Sequence, residues 1–224
     1  MQAVILAAGK ATRMRPLTLD TPKPLLKIGE KTILEHNLDQ LISLVDEVVL
    51  VIGYKGDDIK ARFGSDYKGM KLVYVEQKEQ LGTGHALQQT KSVVNDRFLV
   101  LMGDDLYDKE DIKACLDYDY AVLVQKVEDP TRFGVFVTEN NIVKDFVEKP
   151  KEFVSDLANL GVYVLDTKIF DELEKIEKTE RNEYELTSAV LALSKKVALH
   201  CVLAKKWIPI AYPEDLEKAR KLLS

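Results

Sequence analysis

Five basic side chains are concentrated in one loop near the start of a chain whose net charge is −5. The loop directly follows the first apolar run, AVILA. Its basic residues are Lys10, Arg13, Arg15, Lys23 and Lys27. Arg13 offers a rigid fork of N–H donors and Lys23 a mobile ammonium, and both suit a polyphosphate. The alternative is a solvated basic loop, but the pattern favours a phosphorylated ligand.

The loop opens with the sequence LAAG (6–9), in which Gly9 and its small alanine neighbours let a ligand approach the backbone closely. Exposed backbone N–H groups at such a turn suit phosphate oxygens. The spacing fits neither the dinucleotide fingerprint G-x-G-x-x-G nor the P-loop sequence. The loop is also longer than a connection requires, which is typical of functional loops. We therefore expect a phosphate-binding loop of another kind.

Two carboxylates, Asp104 and Asp105, follow the strand-like run RFLVLM (97–102). Carboxylates at the carboxyl end of a parallel strand suit Mg²⁺, which takes one or two of them together with phosphate oxygens. The alternative is an acidic turn that precedes the next helix.

Two other segments carry polar groups with less specific chemistry. Gln77, Gly82 and Thr83 lie where a strand leads into a helix, in YVEQKEQLGTGHALQQ. An amide pairs with a pyrimidine edge, and Thr83 suits either a helix cap or a base, so the residues alone leave both readings open.

Glu148 and Lys149 end a predicted hairpin, where a solvated ion pair is the default reading.

Strand-like runs alternate with helical segments through the first half of the chain. The runs are 3–7, 47–52, 71–75, 97–102 and 120–127, and the helical segments are 33–45, 57–63, 83–94 and 109–118. This alternation predicts an α/β fold with a Rossmann-like, mostly parallel (mixed) sheet flanked by helices. Ligands are expected at the carboxyl ends of its strands.

The second half is predicted to be rich in β-structure. A hairpin is expected over 133–150 and a strand over 160–166, followed by helices at 167–178 and 184–195, a strand at 197–204 and a helix at 213–223. No repeat or flexible linker separates the halves. We expect one domain over 1–224, with a nucleotide-binding half (1–127), a β-rich half (128–224) and the site between them.

The composition excludes several classes of function. The 224 residues are 46 % hydrophobic and 31 % charged, which is ordinary for globular proteins. The acidic balance argues against nucleic-acid binding. No apolar run approaches the roughly 20 residues of a membrane span, and no signal peptide is recognised. Cys115 and Cys201 lie far apart, which predicts reduced thiols and a cytoplasmic protein. A homo-oligomer is compatible with the sequence.

The opening motif resembles that of a known family. L-A-A-G-K-x-T-R-M followed by P-K-P-L-L is similar to the signature of the sugar-1-phosphate nucleotidyltransferases, and further motifs follow in order along nearly the whole chain. These enzymes couple a nucleoside triphosphate to a sugar 1-phosphate and release pyrophosphate. QLGTGHA is most similar to the uridyltransferase domain of the bifunctional N-acetylglucosamine-1-phosphate enzyme. The family usually has Gly where this chain has Ala11.

The resemblance implies a role for most of the residues above. The implied nucleotide-binding residues are Leu6, Ala8, Gly9, Gln77, Gly82 and Thr83, of which the last three read uracil. Arg13 neutralises the β- and γ-phosphates, and Lys23 stabilises charge at the α-phosphate. Asp104 holds Mg²⁺. The implied sugar-binding residues are Gly134, Glu148, Lys149 and Asn159.

The C-terminal motif departs from the family. WIPIAYPEDLEKA (207–219) is similar to W-x-D-x-G-T-P-E-D-L-x-x-A, but the second metal ligand of the family falls on Pro209. Three readings stay open: Asp104 with the triphosphate and water suffices, Asp105 contributes, or activity is reduced.

The activity implied is transfer of a nucleotidyl group from UTP to glucose or N-acetylglucosamine 1-phosphate. The alternatives are dTTP with glucose 1-phosphate, GTP with mannose 1-phosphate, or a regulatory member that has lost turnover. A glycosyltransferase with a related nucleotide-binding half is a further alternative, but it would normally show an Asp-x-Asp metal motif, whereas this chain has Gly-Asp-Asp preceded by Met. No hexapeptide repeat of a β-helix is present, so acetyl-CoA activity is not expected.

Overall fold

A computed structural model describes residues 1–223. The strands are β1 (Gln2–Ala7), β2 (Lys27–Ile28), β3 (Lys31–Thr32), β4 (Glu47–Ile52), β5 (Asp66–Tyr67), β6 (Met70–Glu76), β7 (Arg97–Met102), β8 (Leu106–Tyr107), β9 (Ala121–Lys126), β10 (Gly134–Glu139), β11 (Ile142–Glu148), β12 (Leu157–Asp166), β13 (His200–Leu203) and β14 (Trp207–Ile208). The α-helices are α1 (Ile33–Leu41), α2 (Gly56–Phe63), α3 (Thr83–Gln88), α4 (Lys109–Cys115), α5 (Ile169–Leu173), α6 (Leu186–Ser194) and α7 (Pro213–Leu223).

A ten-stranded sheet extends through both halves in the order β10-β11-β13-β9-β12-β7-β1-β4-β6-β5. Around β1 the pairing is parallel, with β7 and β4 on either side of β1 and β6 beyond β4. In the second half most pairings are antiparallel, and β12 lies between β7 and β9 in the opposite direction to both. The predicted α/β class, a mixed sheet flanked by helices, is confirmed.

The central strands are apolar on both faces because helices cover both faces. Ile5 of β1 belongs to the core that includes α1, α2 and α4, whereas its neighbour Leu6 belongs to the core that includes α3, α5 and α6. This alternation follows from the two-residue period of a strand. A third, smaller cluster joins the basic loop to the C-terminal segment through Met14, Ile33 and Ile210.

Several elements differ in extent from the prediction. α1 begins with a capping box at Thr32 and ends at Leu41, since Ile42 leaves the helical conformation with ψ 130° and Ser43 follows with a left-handed φ of 67°. α3 and α5 are also shorter than predicted, and β12 begins earlier, at Leu157. None of the helices within residues 1–223 is long and apolar enough to cross a membrane.

Candidate functional site

A cavity of about 410 Å³ lies at the carboxyl ends of the parallel strands. Its lining includes every residue predicted to bind the nucleotide: Leu6, Ala8, Gly9, Gln77, Gly82 and Thr83. Lys23 and Asp104 line the same cavity. Residues that lie far apart in sequence, between Leu6 and Asp104, thus share one surface, here called the first cavity.

The floor of the first cavity is the end of β1. The strands that flank β1 are followed by Gly53 and Gly103, and both glycines contact its last residues. A Cβ on Gly103 would lie 2.9 Å from the carbonyl oxygen of Leu6, and a Cβ on Gly53 would lie 2.9 Å from that of Ala8. Gly53 was not among the predicted site residues. Its position directly after a strand was the available signal.

The basic loop is tied down at several points. Ala11 has left-handed angles, φ 45° and ψ 52°, which explains why a glycine suits this position. Its carbonyl oxygen accepts a hydrogen bond from Oγ1 of Thr18 at 2.9 Å. The Tyr54 hydroxyl donates to the carbonyl oxygens of Thr18 and Leu19 at 3.0 and 2.9 Å. Tyr54 therefore fixes the middle of the loop, a role that the sequence analysis missed.

The two predicted catalytic residues line adjoining cavities. Lys23 is buried in the first cavity, whereas Arg13 lines a second cavity of about 330 Å³. The Arg13 guanidinium lies over the ring of Tyr212, 5.8 Å from its centroid. The second cavity meets the first at Thr83 and Met102, which line both.

Lys23 is held by two oxygens. Its ammonium donates to Oδ2 of Asp104 at 3.0 Å and to the main-chain carbonyl oxygen of Ile210. The Lys23 side chain is 7 % exposed and that of Asp104 is 54 % exposed. Asp104 thus presents a half-exposed carboxylate to the cavity, with a buried cation behind it.

Asp105 anchors the C-terminal segment. Its Oδ2 accepts a hydrogen bond from Nε1 of Trp207 at 3.0 Å, and its Oδ1 accepts one from the main-chain N–H of Ile210 at 2.9 Å. Loss of contact with water raises the pKa of Asp105 to about 7, helped by the neighbouring charge of Asp104. Within residues 1–223 no three His, Cys, Asp or Glu side chains form a metal cluster. Asp104 is the predicted ligand that faces the first cavity.

The predicted base-reading residues lie together at the other end of the first cavity. The Gln77 side-chain amide donates to the carbonyl oxygen of Gly82 at 3.1 Å and lies 3.0 Å from Nδ1 of His85. Gly82 has φ 107°, and a Cβ there would lie 2.5 Å from the carbonyl oxygen of Tyr184. This position therefore requires glycine. His85 is a helix residue, as expected, and it orients Gln77.

Thr83 connects the two halves of the chain. Its Oγ1 accepts a hydrogen bond from the main-chain N–H of Leu186 at 3.0 Å, and the N–H of Gly84 donates to the carbonyl oxygen of Tyr184 at 2.8 Å. Thr83 does not cap α3, whose N-cap is Gly82. The segment before α6 is thereby fixed against the start of α3, a contact that the sequence analysis missed.

Three of the four predicted sugar-binding residues line the second cavity: Gly134, Glu148 and Asn159. The Asn159 side chain is fully oriented, since its Nδ2 donates to the Tyr163 hydroxyl at 2.7 Å and its Oδ1 accepts from the N–H of Gly161 at 2.9 Å. These contacts lie at an irregularity of β12 between Asn159 and Tyr163, where Gly161 has φ 74°.

The fourth residue, Lys149, lies beside the others and lines an adjoining third cavity of about 470 Å³. Its φ is 46°, a left-handed conformation that is uncommon for lysine. Glu148, also in this lining, pairs with Arg181 at 3.5 Å, and Arg181 donates to Glu185 at 2.8 Å. Burial raises the pKa of Glu185, and the Arg181 charge opposes that shift. The sequence signal that could have predicted this ion-pair network is the group of charged residues, including Arg181 and Glu185, just before the apolar helix α6.

The chain is similar in sequence to proteins of known name, one of which is named for the reaction that it catalyses. The chain is 40 % identical over 226 residues to the bifunctional protein GlmU of Methanocaldococcus jannaschii, an alignment that covers 100 % of this chain and 54 % of that protein. It therefore spans about half the length of that relative. It is 34 % identical to the UTP–glucose-1-phosphate uridylyltransferase AglF of Haloferax volcanii, covering 100 % of this chain and 96 % of the relative.

Solved structures agree with the fold described above. A UDP-glucose pyrophosphorylase complexed with UDP-glucose superposes with a TM-score of 0.89 at 24 % identity, covering 99 % of this chain and 97 % of that one. A putative glucose-1-phosphate thymidylyltransferase from Bacillus anthracis superposes with a TM-score of 0.88 at 28 % identity, covering 99 % and 94 %. The sequence profile of the family described as nucleotidyl transferase matches residues 2–224. The chain belongs to the nucleotidyl transferase family.

Proposed function

We propose that this protein transfers a nucleotidyl group from a nucleoside triphosphate to a sugar 1-phosphate and releases pyrophosphate. The observation that carries the proposal is the meeting of two cavities at Thr83 and Met102. The first holds the small-residue loop, Lys23 and Asp104, and suits a triphosphate. The second holds Glu148 and Asn159, oxygen and nitrogen groups that suit sugar hydroxyls. A nucleotide and a sugar phosphate bound in them would meet at the shared wall.

The reaction needs little beyond positioning and charge. The attacking group is a phosphate oxygen that already carries negative charge, so no general base is required. In-line attack on the α-phosphorus increases charge on its equatorial oxygens, and fixed cations stabilise that charge. Lys23, at the base of the first cavity, supplies an ammonium for the α-phosphate. Arg13 supplies a guanidinium to the phosphates from the side of the second cavity.

Mg²⁺ is the proposed cofactor, and the donor set fits it. Asp104 offers a half-exposed carboxylate beside the Ile210 carbonyl oxygen, and Mg²⁺ prefers oxygen ligands completed by substrate phosphates. When bound there, Mg²⁺ would neutralise phosphate charge. Lys23 and Asp104 would align the triphosphate, and Glu148 and Asn159 would orient the sugar.

UTP is the favoured donor, and glucose or N-acetylglucosamine 1-phosphate the favoured acceptor. The similarity to AglF, named for UTP and glucose 1-phosphate, supports this choice. dTTP with glucose 1-phosphate is a second candidate. GTP with mannose 1-phosphate is a third, because the chain is 32 % identical to the Drosophila melanogaster mannose-1-phosphate guanylyltransferase catalytic subunit beta. A member without turnover is the fourth, on account of Pro209.

We further propose that residues 1–224 act as one catalytic unit, since Thr83 of the first half and Leu186 of the second are hydrogen-bonded beside the site. A cytoplasmic location is supported by two free cysteines, Cys115 and Cys201, which a reducing compartment would preserve. The oligomeric state stays a prediction of the sequence.

The test is a pyrophosphate-release assay with MgCl₂ that combines UTP, dTTP, GTP and ATP with the 1-phosphates of glucose, N-acetylglucosamine and mannose. We expect the highest kcat/KM with UTP and one of the first two sugars. The matched control is Asp104→Asn, which should retain the fold and lose turnover. A strong preference for a purine donor would overturn the UTP assignment. Nucleotide binding without turnover of any pair would favour the regulatory alternative.

A further inference from the structure

The Lys23 ammonium lies at a position where oxygen atoms of the protein would suit any cation. It lies between two oxygens, Oδ2 of Asp104 at 3.0 Å and the carbonyl oxygen of Ile210. These residues are 81 and 187 positions from Lys23 in sequence, so the arrangement is a product of the tertiary fold. A carboxylate and a carbonyl oxygen are also ligands that hard divalent cations prefer.

The Ile210 carbonyl is held rigidly from both sides. On one side, Asp105 accepts hydrogen bonds from the N–H of Ile210 at 2.9 Å and from Nε1 of Trp207 at 3.0 Å. On the other side, Oδ2 of Asp215 accepts from the N–H groups of residues 211 and 212 at 3.0 and 2.9 Å. The Ile210 side chain itself is fully buried. The carbonyl oxygen is therefore as well fixed as a side-chain ligand would be.

Pro209 carries no side-chain oxygen, so the metal ligand that the resemblance leads one to expect there is missing. The main-chain carbonyl of the next residue, Ile210, shares the Lys23 ammonium with the Asp104 carboxylate. Lysine carries its charge on a flexible four-carbon stem, and two cations cannot share one such site. A metal that enters must therefore displace the ammonium toward the cavity, where phosphates bind.

We propose that Asp104 and the Ile210 main-chain carbonyl form one cation site, which the Lys23 ammonium fills until a nucleotide-borne Mg²⁺ takes it over and Lys23 moves to the phosphates. This inference rests on the proposed function, and it adds to it a second metal ligand and an exchange of cations. Lys23 then has two positions, one on the protein oxygens and one on the substrate.

The first test measures binding of Mn²⁺ alone by the loss of its free electron paramagnetic resonance signal. Lys23→Met removes the competing charge and retains the length of the side chain. We expect Mn²⁺ to bind this variant about tenfold more tightly than the wild type, as expected for removal of a nearby unit charge. Adding Asp104→Asn should abolish the gain. Lys10→Met is the matched control, since exposed Lys10 also lines the first cavity.

Equal Mn²⁺ affinity in the wild type and Lys23→Met, including no binding by either, would overturn the exchange of cations. A gain of the same size in Lys10→Met would overturn it as well, because the effect would then be one of general charge. Circular dichroism checks that each variant is folded.

The second test addresses the carbonyl. Protein labelled with ¹³C at the carbonyl carbon of isoleucine is examined by electron–nuclear double resonance, with Mn²⁺ in the Lys23→Met variant and with Mn²⁺ and UTP in the wild type. A strong ¹³C coupling that disappears in Ile210→Val, which keeps the carbonyl but not the label, is the expected result. No coupling in either sample would overturn the carbonyl ligand. Neither test requires turnover, so failure of the proposed reaction would leave their results distinguishable.

Discussion

An alanine in place of Gly134 is expected to damage the second cavity and leave the first intact. A Cβ at this position would lie 2.6 Å from Oε2 of Glu148 and would overlap the ring of Phe146. The Glu148 carboxylate ends a flexible side chain and can move aside. The half-buried Phe146 ring is less free to move, because it packs on the fully buried Phe136 with ring centroids 5.0 Å apart.

The size of the effect follows from these contacts. An extra methyl group forced into a packed site lowers the free energy of unfolding by about 1–3 kcal/mol. Displacing Glu148 would remove the proposed charged hydrogen bond to the sugar, worth about 1.5–3 kcal/mol. That loss corresponds to a KM for the sugar phosphate roughly tenfold to a hundredfold higher. The KM for the nucleotide should change by less than about twofold, because Gly134 does not line the first cavity.

The assays are urea unfolding and steady-state kinetics on Gly134→Ala, Phe146→Leu and the double variant. Leucine lacks the ring atoms that the new Cβ would overlap, so the double variant should be more stable than additivity requires by about 1 kcal/mol. Gly9→Ala is the control for stability, since no atom lies within 4 Å of a Cβ there. Wild-type stability and KM values in Gly134→Ala, or strictly additive losses, would refute the reasoning.

Three further predictions concern the loop and the paired aspartates. Lys23→Ala should lower kcat by about 10²–10³ while the protein stays folded, and near-normal turnover would remove its assigned role. Asp105 has a raised pKa of about 7, so between about pH 4 and pH 7 the folded state binds the extra proton. Its contribution to the free energy of unfolding therefore falls as pH rises through this range, and urea titrations should show the fall in the wild type and not in Asp105→Asn. Ala11→Gly should raise the free energy of unfolding by up to about 1 kcal/mol, because the left-handed backbone penalises alanine more than glycine's extra freedom costs; a less stable variant would contradict this.

The first half of the fold was predictable because its strands are buried on both faces. Such strands appear as continuous apolar runs, and β1, β4 and β7 lie where those runs predicted them. Helix ends were less predictable. Ser43 in a left-handed conformation ends the turn after α1, and a serine carries no strong signal for that geometry.

Individual residues that line the candidate site could be picked out from the sequence, but the contacts between them could not. Small residues, a Gly-Asp-Asp turn and a glycine before α3 each carry a local signal, and all of these positions except Asp105 line the first cavity. The assignment of Arg13 and Lys23 to one triphosphate stays a prediction, and nothing in the sequence indicated that Arg13 lines the second cavity, over Tyr212. The spacing of two residues along a loop does not determine which wall of a site each one reaches.

The sequence by itself determined the α/β class, the family resemblance and the identity of the groups available for chemistry. These follow from local hydrophobic periodicity and from short motifs, which need no knowledge of distant contacts. Only the tertiary structure decided which groups contact one another, such as Lys23 with Asp104 and the Ile210 carbonyl, or Thr83 with Leu186. The physical reason is that a main-chain carbonyl is present at every residue, so its use as a ligand is set by packing and hydrogen bonding and leaves no trace in residue type.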